Sequence, residues 1–156
     1  MDTQQAFDPA AGHRHFSADY FNRVWGLLDR AERTREDDEQ MISMCHASLA
    51  HWRDREDCEP RHLSVGYWQM SRVYAVVGKG TPARRYARLC LEASAGEAPF
   101  YLGYAHEALC RAAKLKGEAG EAEQHLADAR RQLELVDDQD ERMALGADLD
   151  SLASDG

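Results

Sequence analysis

Two segments of the chain place an arginine four residues after a large or charged side chain: Arg72 follows Trp68, and Arg111 follows Glu107. This spacing puts both members on one helix face, and two neighbouring guanidinium groups can bind an anionic group with paired hydrogen bonds. The sequence therefore suggests an anion-binding groove; the alternative is a structural ion pair between Arg72 and Glu107 on adjacent helices. The candidate groove residues are Trp68, Gln69, Arg72, Tyr104, Glu107, Arg111 and Lys114.

Three more arginines, Arg84, Arg85 and Arg88, share a face of a predicted helix and form a candidate basic patch. They lie in a stretch, 60–91, that carries a charge of +6 and contains no Asp or Glu. The flanking stretches are acidic, at −5 for 34–59 and −3 for 92–136, and the whole chain totals −9. The patch is either a solvated outer face that pairs with acidic neighbours, or a dock for an acidic peptide or carboxylate.

Histidines and cysteines offer possible metal ligands, but their spacing does not assemble a site. His46 and His51 are five residues apart, which separates them by about 140° around a helix. Neither the Cys45-His46 pair nor His13-x-His15 has a third ligand at a fixed spacing. The sequence predicts no metal and no cofactor.

No motif of a known catalytic class is recognised. Gly78-Lys79-Gly80-Thr81 lacks the preceding strand and the glycine spacing of a phosphate-binding loop, so a turn between helices is the better interpretation. The protein is therefore predicted not to be an enzyme. The alternative is an active site assembled from His46, His51, His106 or Glu107.

Helices along nearly the whole chain position these residues. Apolar residues recur at helical spacing, while Ser17, Thr34 and Thr81 are predicted caps at helix starts and Gly78 a left-handed helix end. Residues 1–15 are predicted to form a flexible amino-terminal tail. The predicted helices are 17–33, 34–53, 63–77, 81–95, 100–116, 120–136 and 139–152.

An internal repeat with an offset of 39 residues is visible in the second half of the chain. Each repeat unit is a helix, a glycine-containing turn and a second helix, and small residues line the contact where two antiparallel helices approach closely. The equivalent pairs are Met70 and Leu109, Ser71 and Cys110, Tyr74 and Ala113, Gly78 and Gly117, and Ala83 and Ala122.

These positions resemble the tetratricopeptide repeat (TPR), whose pattern has a large residue, a Leu-Gly-like pair, a tyrosine, and later two alanines around an aromatic. The two units offer Tyr67, Met70-Ser71, Tyr74, Ala83, Ala87 and Cys90, and then His106, Leu109-Cys110, Ala113, Ala122, Leu126 and Ala129. Because the usual period is about 34 residues, about five extra residues fall in the 95–99 connection. The segments 46–52 and 68–74 are also similar to those of small single-domain bacterial proteins of this class that have no assigned activity.

The resemblance implies an all-α fold of about seven helices, in which antiparallel pairs stack as a short right-handed solenoid. It implies one TPR-like domain over 16–153. In such solenoids the first helix of each pair lines a concave groove, and the predicted last helix is a capping helix.

Composition limits the class of protein. The chain has 156 residues, of which 44% are hydrophobic, enough for a packed core in one domain. No apolar run of about 18 residues is present, and the amino end lacks the apolar core of a secretory signal, so we expect no membrane span and no leader. Scattered cysteines and an acidic balance favour a cytoplasmic protein that does not bind nucleic acid.

We therefore expect a non-enzymatic protein–protein interaction module, a scaffold or adaptor, whose partner is a protein or peptide. The basic patch favours an acidic partner, and the charge pattern also permits a homodimer. The alternative is a small-ligand sensor that binds an anionic metabolite or a peptide carboxylate in the concave groove.

Overall fold

The computed structural model describes residues 6–155, which form an all-α structure with no strand in this range. The prediction of an all-α fold with seven helices is confirmed. The helices are α1 (Pro9–Leu28), α2 (Arg35–Arg53), α3 (Pro60–Val76), α4 (Gly80–Ser94), α5 (Pro99–Leu115), α6 (Ala119–Glu134) and α7 (Gln139–Ser154). Within the described range, none of these helices combines the length and apolar character needed to cross a bilayer.

The described helices fall into two compact units that divide between Cys58 and Glu59. The amino-terminal unit contains α1 and α2, which pack against each other. The carboxyl-terminal unit contains α3 to α7. The single domain predicted over 16–153 stays a prediction.

The start of α1 differs from the sequence prediction. The helix begins at Pro9 and not at Ser17, because the Asp8 carboxylate accepts a hydrogen bond from the Ala10 N–H at 3.0 Å and caps it. Pro9 takes the first helical position, where a missing N–H costs nothing. Residues 9–15 of the predicted tail are therefore helical, and residues 1–5 lie outside the described residues. Ser17 is buried inside α1, where its hydroxyl donates to the Arg14 carbonyl.

The predicted start of α2 is confirmed. Thr34 accepts a hydrogen bond from the Asp37 N–H at 3.1 Å, and the Asp37 carboxylate accepts one from the Thr34 N–H at 2.9 Å. This reciprocal capping box satisfies two N–H groups that the helix itself leaves unpaired. Between the two helices, the Ser48 hydroxyl of α2 donates to the Ser17 carbonyl of α1 at 2.7 Å.

Prolines shift the helix starts in the carboxyl-terminal unit. α3 begins at Pro60 instead of Leu63, and α5 begins at Pro99 instead of Phe100, since proline suits the first helical turn. The predicted cap at Thr81 is wrong, because α4 already begins at Gly80 and Thr81 lies within its first turn.

Small side chains let the helices of the carboxyl-terminal unit approach closely. α3 packs against α4 and α5, α5 packs against α4 and α6, and α7 packs against both α5 and α6. At Gly103 of α5, an added Cβ would lie 2.5 Å from Leu145 Cδ2 of α7, so any larger residue would force the buried Leu145 side chain to shift. The buried alanines of the unit are Ala83, Ala87, Ala105, Ala108, Ala112, Ala113, Ala122 and Ala129.

Candidate functional site

The predicted groove residues converge on one buried carboxylate, Glu107 of α5, which is 1% exposed. The Trp68 indole Nε1 of α3 donates to Glu107 Oε2 at 2.7 Å. The Arg111 guanidinium, one turn along α5, donates to Glu107 Oε1 through Nη2 at 2.5 Å and Nε at 3.2 Å. We call Trp68, Glu107 and Arg111 the Glu107 network.

The Glu107 network satisfies a group that is costly to bury. A carboxylate in a low-dielectric interior requires charge-assisted hydrogen bonds, and here both oxygens accept them. The same bonds compensate the Arg111 charge, whose side chain is only 22% exposed. The network therefore ties α3 to α5, and little of the Arg111 charge is left for an external anion.

Two further groove residues contact the last helix. The Tyr104 hydroxyl of α5 donates to Asp148 Oδ2 of α7 at 2.7 Å, and Lys114 Nζ donates to the Leu152 carbonyl of α7. Burial, followed by the Asp148 hydrogen bond, raises the pKa of Tyr104 well above its ordinary value, so the phenol stays protonated as the donor. α7 therefore covers part of the face of α5 that was predicted to line the groove.

The remaining two groove residues lie on α3. Gln69 is buried, at 1% exposure, whereas Arg72 is half-buried. The positive charge of Arg72 acts against the rise in the pKa of Tyr104. The ring of Tyr104 also meets the ring of Trp68 edge-on, with centroids 5.4 Å apart. The structure thus brings most of the predicted groove residues together, and they mainly contact one another.

The basic patch on α4 divides into two parts. Arg84 is paired internally, because its guanidinium contacts Glu118 and lies 3.2 Å from Glu121 Oε2. Arg85 and Arg88 are exposed. Arg84 therefore pairs with acidic neighbours, as in the first interpretation of the patch. Arg85 and Arg88 provide an exposed cationic surface.

The histidines assemble differently from what their spacing suggested. In the amino-terminal unit, His13 of α1 and His51 of α2 face each other with Nδ1 atoms 2.9 Å apart. In the carboxyl-terminal unit, His106 of α5 lies beside His125 and Asp128 of α6, with ligand atoms all within 4.8 Å. Sequence reasoning missed this second cluster, although the spacing of three between His125 and Asp128 puts both on one helix face.

No family model matches the chain, and no curated protein or solved structure matches it either. The resemblance to TPR proteins therefore rests on the residues of this chain alone.

Proposed function

We propose that the carboxyl-terminal unit is a TPR-like module, and that the protein is a non-enzymatic scaffold or adaptor that binds an acidic protein partner. In this proposal α3–α4 and α5–α6 are antiparallel helix pairs stacked with a right-handed twist, and α7 is the capping helix. Two kinds of contact support the proposal. One kind is found at equivalent positions in both repeat units, and the other joins two residues that are 39 positions apart.

The observation that carries the proposal is a recurring ring contact within each helix pair. Tyr67 of α3 stacks with Tyr86 of α4, with centroids 6.3 Å apart and an interplanar angle of 17°. The residues 39 positions later, His106 of α5 and His125 of α6, also stack, at 5.5 Å and 29°. Equivalent positions meeting in equivalent ways are expected when two repeat units share one backbone arrangement.

The turns within the two repeat units, and a hydrogen bond between the units, support the same interpretation. Gly78 and Gly117, which are also equivalent, both adopt left-handed backbone, with φ of 80° and 73°. Trp68 and Glu107 are equivalent as well, and they are hydrogen-bonded to each other. A contact between equivalent residues of α3 and α5 is what stacking of consecutive repeat units produces.

The chemistry of the partner follows from charge. Arg85 and Arg88 are exposed within the 60–91 stretch that has no carboxylate, so their positive charges would attract an acidic segment. The carboxyl end of a second copy, at −6 over 137–156, is one such segment, which keeps the homodimer within the proposal. An anion sensor is less well supported, because Glu107 already binds Trp68 and Arg111.

A cytoplasmic location is part of the proposal. Cys45, Cys90 and Cys110 are free thiols, as expected in a reducing compartment.

A peptide-display selection against the full chain tests the function. We expect enrichment of Asp- and Glu-rich peptides, and we expect Arg85→Glu/Arg88→Glu to weaken binding of a selected peptide about tenfold or more, equivalent to roughly 1.4 kcal/mol. Fluorescence anisotropy measures the affinity, and sedimentation velocity tests self-association in the same samples.

The matched control is Arg35→Glu/Arg142→Glu, which makes the same change in net charge at exposed positions on α2 and α7. Equal loss in both double variants would mean that only total charge matters. Enrichment of peptides without acidic residues, or no enrichment together with a monomer in sedimentation, would contradict the proposal.

A further inference from the structure

We propose that His106, His125 and Asp128 form a binding site for a divalent transition-metal ion of the Zn²⁺ type. The site lies between α5 and α6, wholly within the carboxyl-terminal unit, and it shares no ligand with the Glu107 network or with the basic patch. Two imidazoles and a carboxylate are an established ligand set for zinc and related ions.

The distances between the ligand atoms fit such an ion. The Nδ1 atoms of His106 and His125 are 3.2 Å apart. Zinc at its usual distance of about 2.0–2.1 Å from each nitrogen would place two tetrahedral ligands about 3.3 Å from each other. Asp128 Oδ2 is 3.9 Å from His106 Nδ1, so a small rotation of the carboxylate completes three corners of the tetrahedron.

Neighbouring carboxylates and arginines hold the ligands in suitable orientations. Glu121 Oε1 lies 3.8 Å from Nε2 of His125, where its negative charge favours the N–H on that nitrogen and the lone pair on Nδ1. Glu121 is itself held by Arg84, at 3.2 Å. Arg131 binds Oδ1 of Asp128, which leaves Oδ2 facing His106.

The accessibility of the ligands suits metal binding. The side chains of His106, His125 and Asp128 keep 16%, 18% and 24% exposure, so an ion can reach them. Three protein ligands leave one tetrahedral position for water.

The two repeat units carry different ring pairs at equivalent positions. The equivalent positions of the first unit hold Tyr67 and Tyr86, which fill the same contact with two stacked phenol rings. The double variant His106→Tyr/His125→Tyr therefore removes two ligands and keeps a ring pair that the fold already accommodates.

The experiment is a titration of the metal-free full-length protein with ZnCl₂ in competition with a chromogenic chelator. We expect one Zn²⁺ bound per chain at the site, and a rise in melting temperature with Zn²⁺. We expect His106→Tyr/His125→Tyr to remove both effects, and Glu121→Gln to weaken binding by less than about tenfold, because Glu121 is too far from His125 for a direct hydrogen bond. Co²⁺ in place of Zn²⁺ should give the intense visible absorption of a tetrahedral ion.

The matched control is His13→Phe/His51→Phe, which removes the facing histidine pair of the amino-terminal unit and should leave the Zn²⁺ affinity of the His106 site unchanged. Circular dichroism confirms that each variant is folded. Equal Zn²⁺ affinity in the wild type and in folded His106→Tyr/His125→Tyr would overturn the proposal. So would the absence of Zn²⁺ binding to the wild type, which would leave His106 and His125 as a hydrogen-bonded pair only.

Discussion

Replacing Glu107 with glutamine removes one negative charge from a carboxylate that is 1% exposed, with little change in volume. The glutamine oxygen can accept from Trp68 or from Arg111, but its amide group then faces the remaining N–H donor. The substitution therefore breaks one charge-assisted hydrogen bond, weakens the other and leaves Arg111 without its charged partner.

The expected loss follows from these contacts. A hydrogen bond to a charged group contributes about 1.5–3 kcal/mol, and breaking a fully buried ion pair costs about 3–5 kcal/mol. The Arg111 side chain is 22% exposed, so water compensates part of its charge. We expect Glu107→Gln to lower the free energy of unfolding by about 2–3 kcal/mol.

Urea denaturation measures this loss directly. Trp68 is the one tryptophan in residues 59–156, so Trp25→Phe/Trp52→Phe gives a background in which its fluorescence reports on the carboxyl-terminal unit. The midpoint should fall without a change in slope, because the surface exposed on unfolding stays the same. Glu123→Gln, an exposed position on α6, is the matched control and should change stability by less than about 0.5 kcal/mol.

A double-mutant cycle isolates the bond between the two repeat units. In the Trp25→Phe/Trp52→Phe background, Trp68→Phe, Glu107→Gln and the double variant, followed by circular dichroism, should give a coupling energy of about 1–2 kcal/mol between Trp68 and Glu107. A Glu107→Gln variant within about 0.5 kcal/mol of its parent, or a coupling near zero, would refute the account of this buried carboxylate.

The other expectations concern packing, capping and thiol reactivity. Gly103→Ala should destabilise the protein by up to about 2 kcal/mol in thermal melts, because displacing buried Leu145 costs more than the roughly 1 kcal/mol that alanine gains over glycine inside a helix; a raised melting temperature would contradict the close contact. A backbone hydrogen bond at the start of α2 lowers the pKa of Asp37 in the folded protein. The carboxylate therefore stabilises the fold at pH values above its pKa in the unfolded chain, and this stabilisation is lost as the pH falls through its pKa in the folded protein. Asp37→Asn should therefore lower the melting temperature at neutral pH and not in strong acid, and an equal effect at both would count against it. Burial raises the pKa of Cys45 to about 12, so iodoacetamide should label half-buried Cys58 first in the native protein, and equal labelling in peptide mapping would argue otherwise.

Local chemistry made most helix ends predictable. Thr34 and Asp37 are close in sequence and form their capping box within one turn, while Gly78 supplies a left-handed end that other residues adopt reluctantly. The starts at Pro9 and Pro60 differ from the predicted starts, which rest on a cap at Ser17 and on the apolar residue Leu63. Proline and the preceding acidic residue extend those helices into polar sequence.

The candidate site was predictable as a set of residues but not as an arrangement. The repeat offset placed Trp68 near Glu107 and identified Arg111, since equivalent positions of stacked units lie close together. Burial and side-chain direction decide which cation binds Glu107, and neither can be read from the spacing of residues in the sequence. His106 and His125 come from different helices, and their meeting depends on the packing of α5 against α6.

The most direct test of the proposed function is an NMR titration of the ¹⁵N-labelled full chain with an acidic peptide obtained from the display selection. The account predicts amide shift changes centred on α4 around Arg85 and Arg88, and their loss in Arg85→Glu/Arg88→Glu. Shift changes centred elsewhere, or equal changes in the double variant, would contradict an acidic partner bound at this surface.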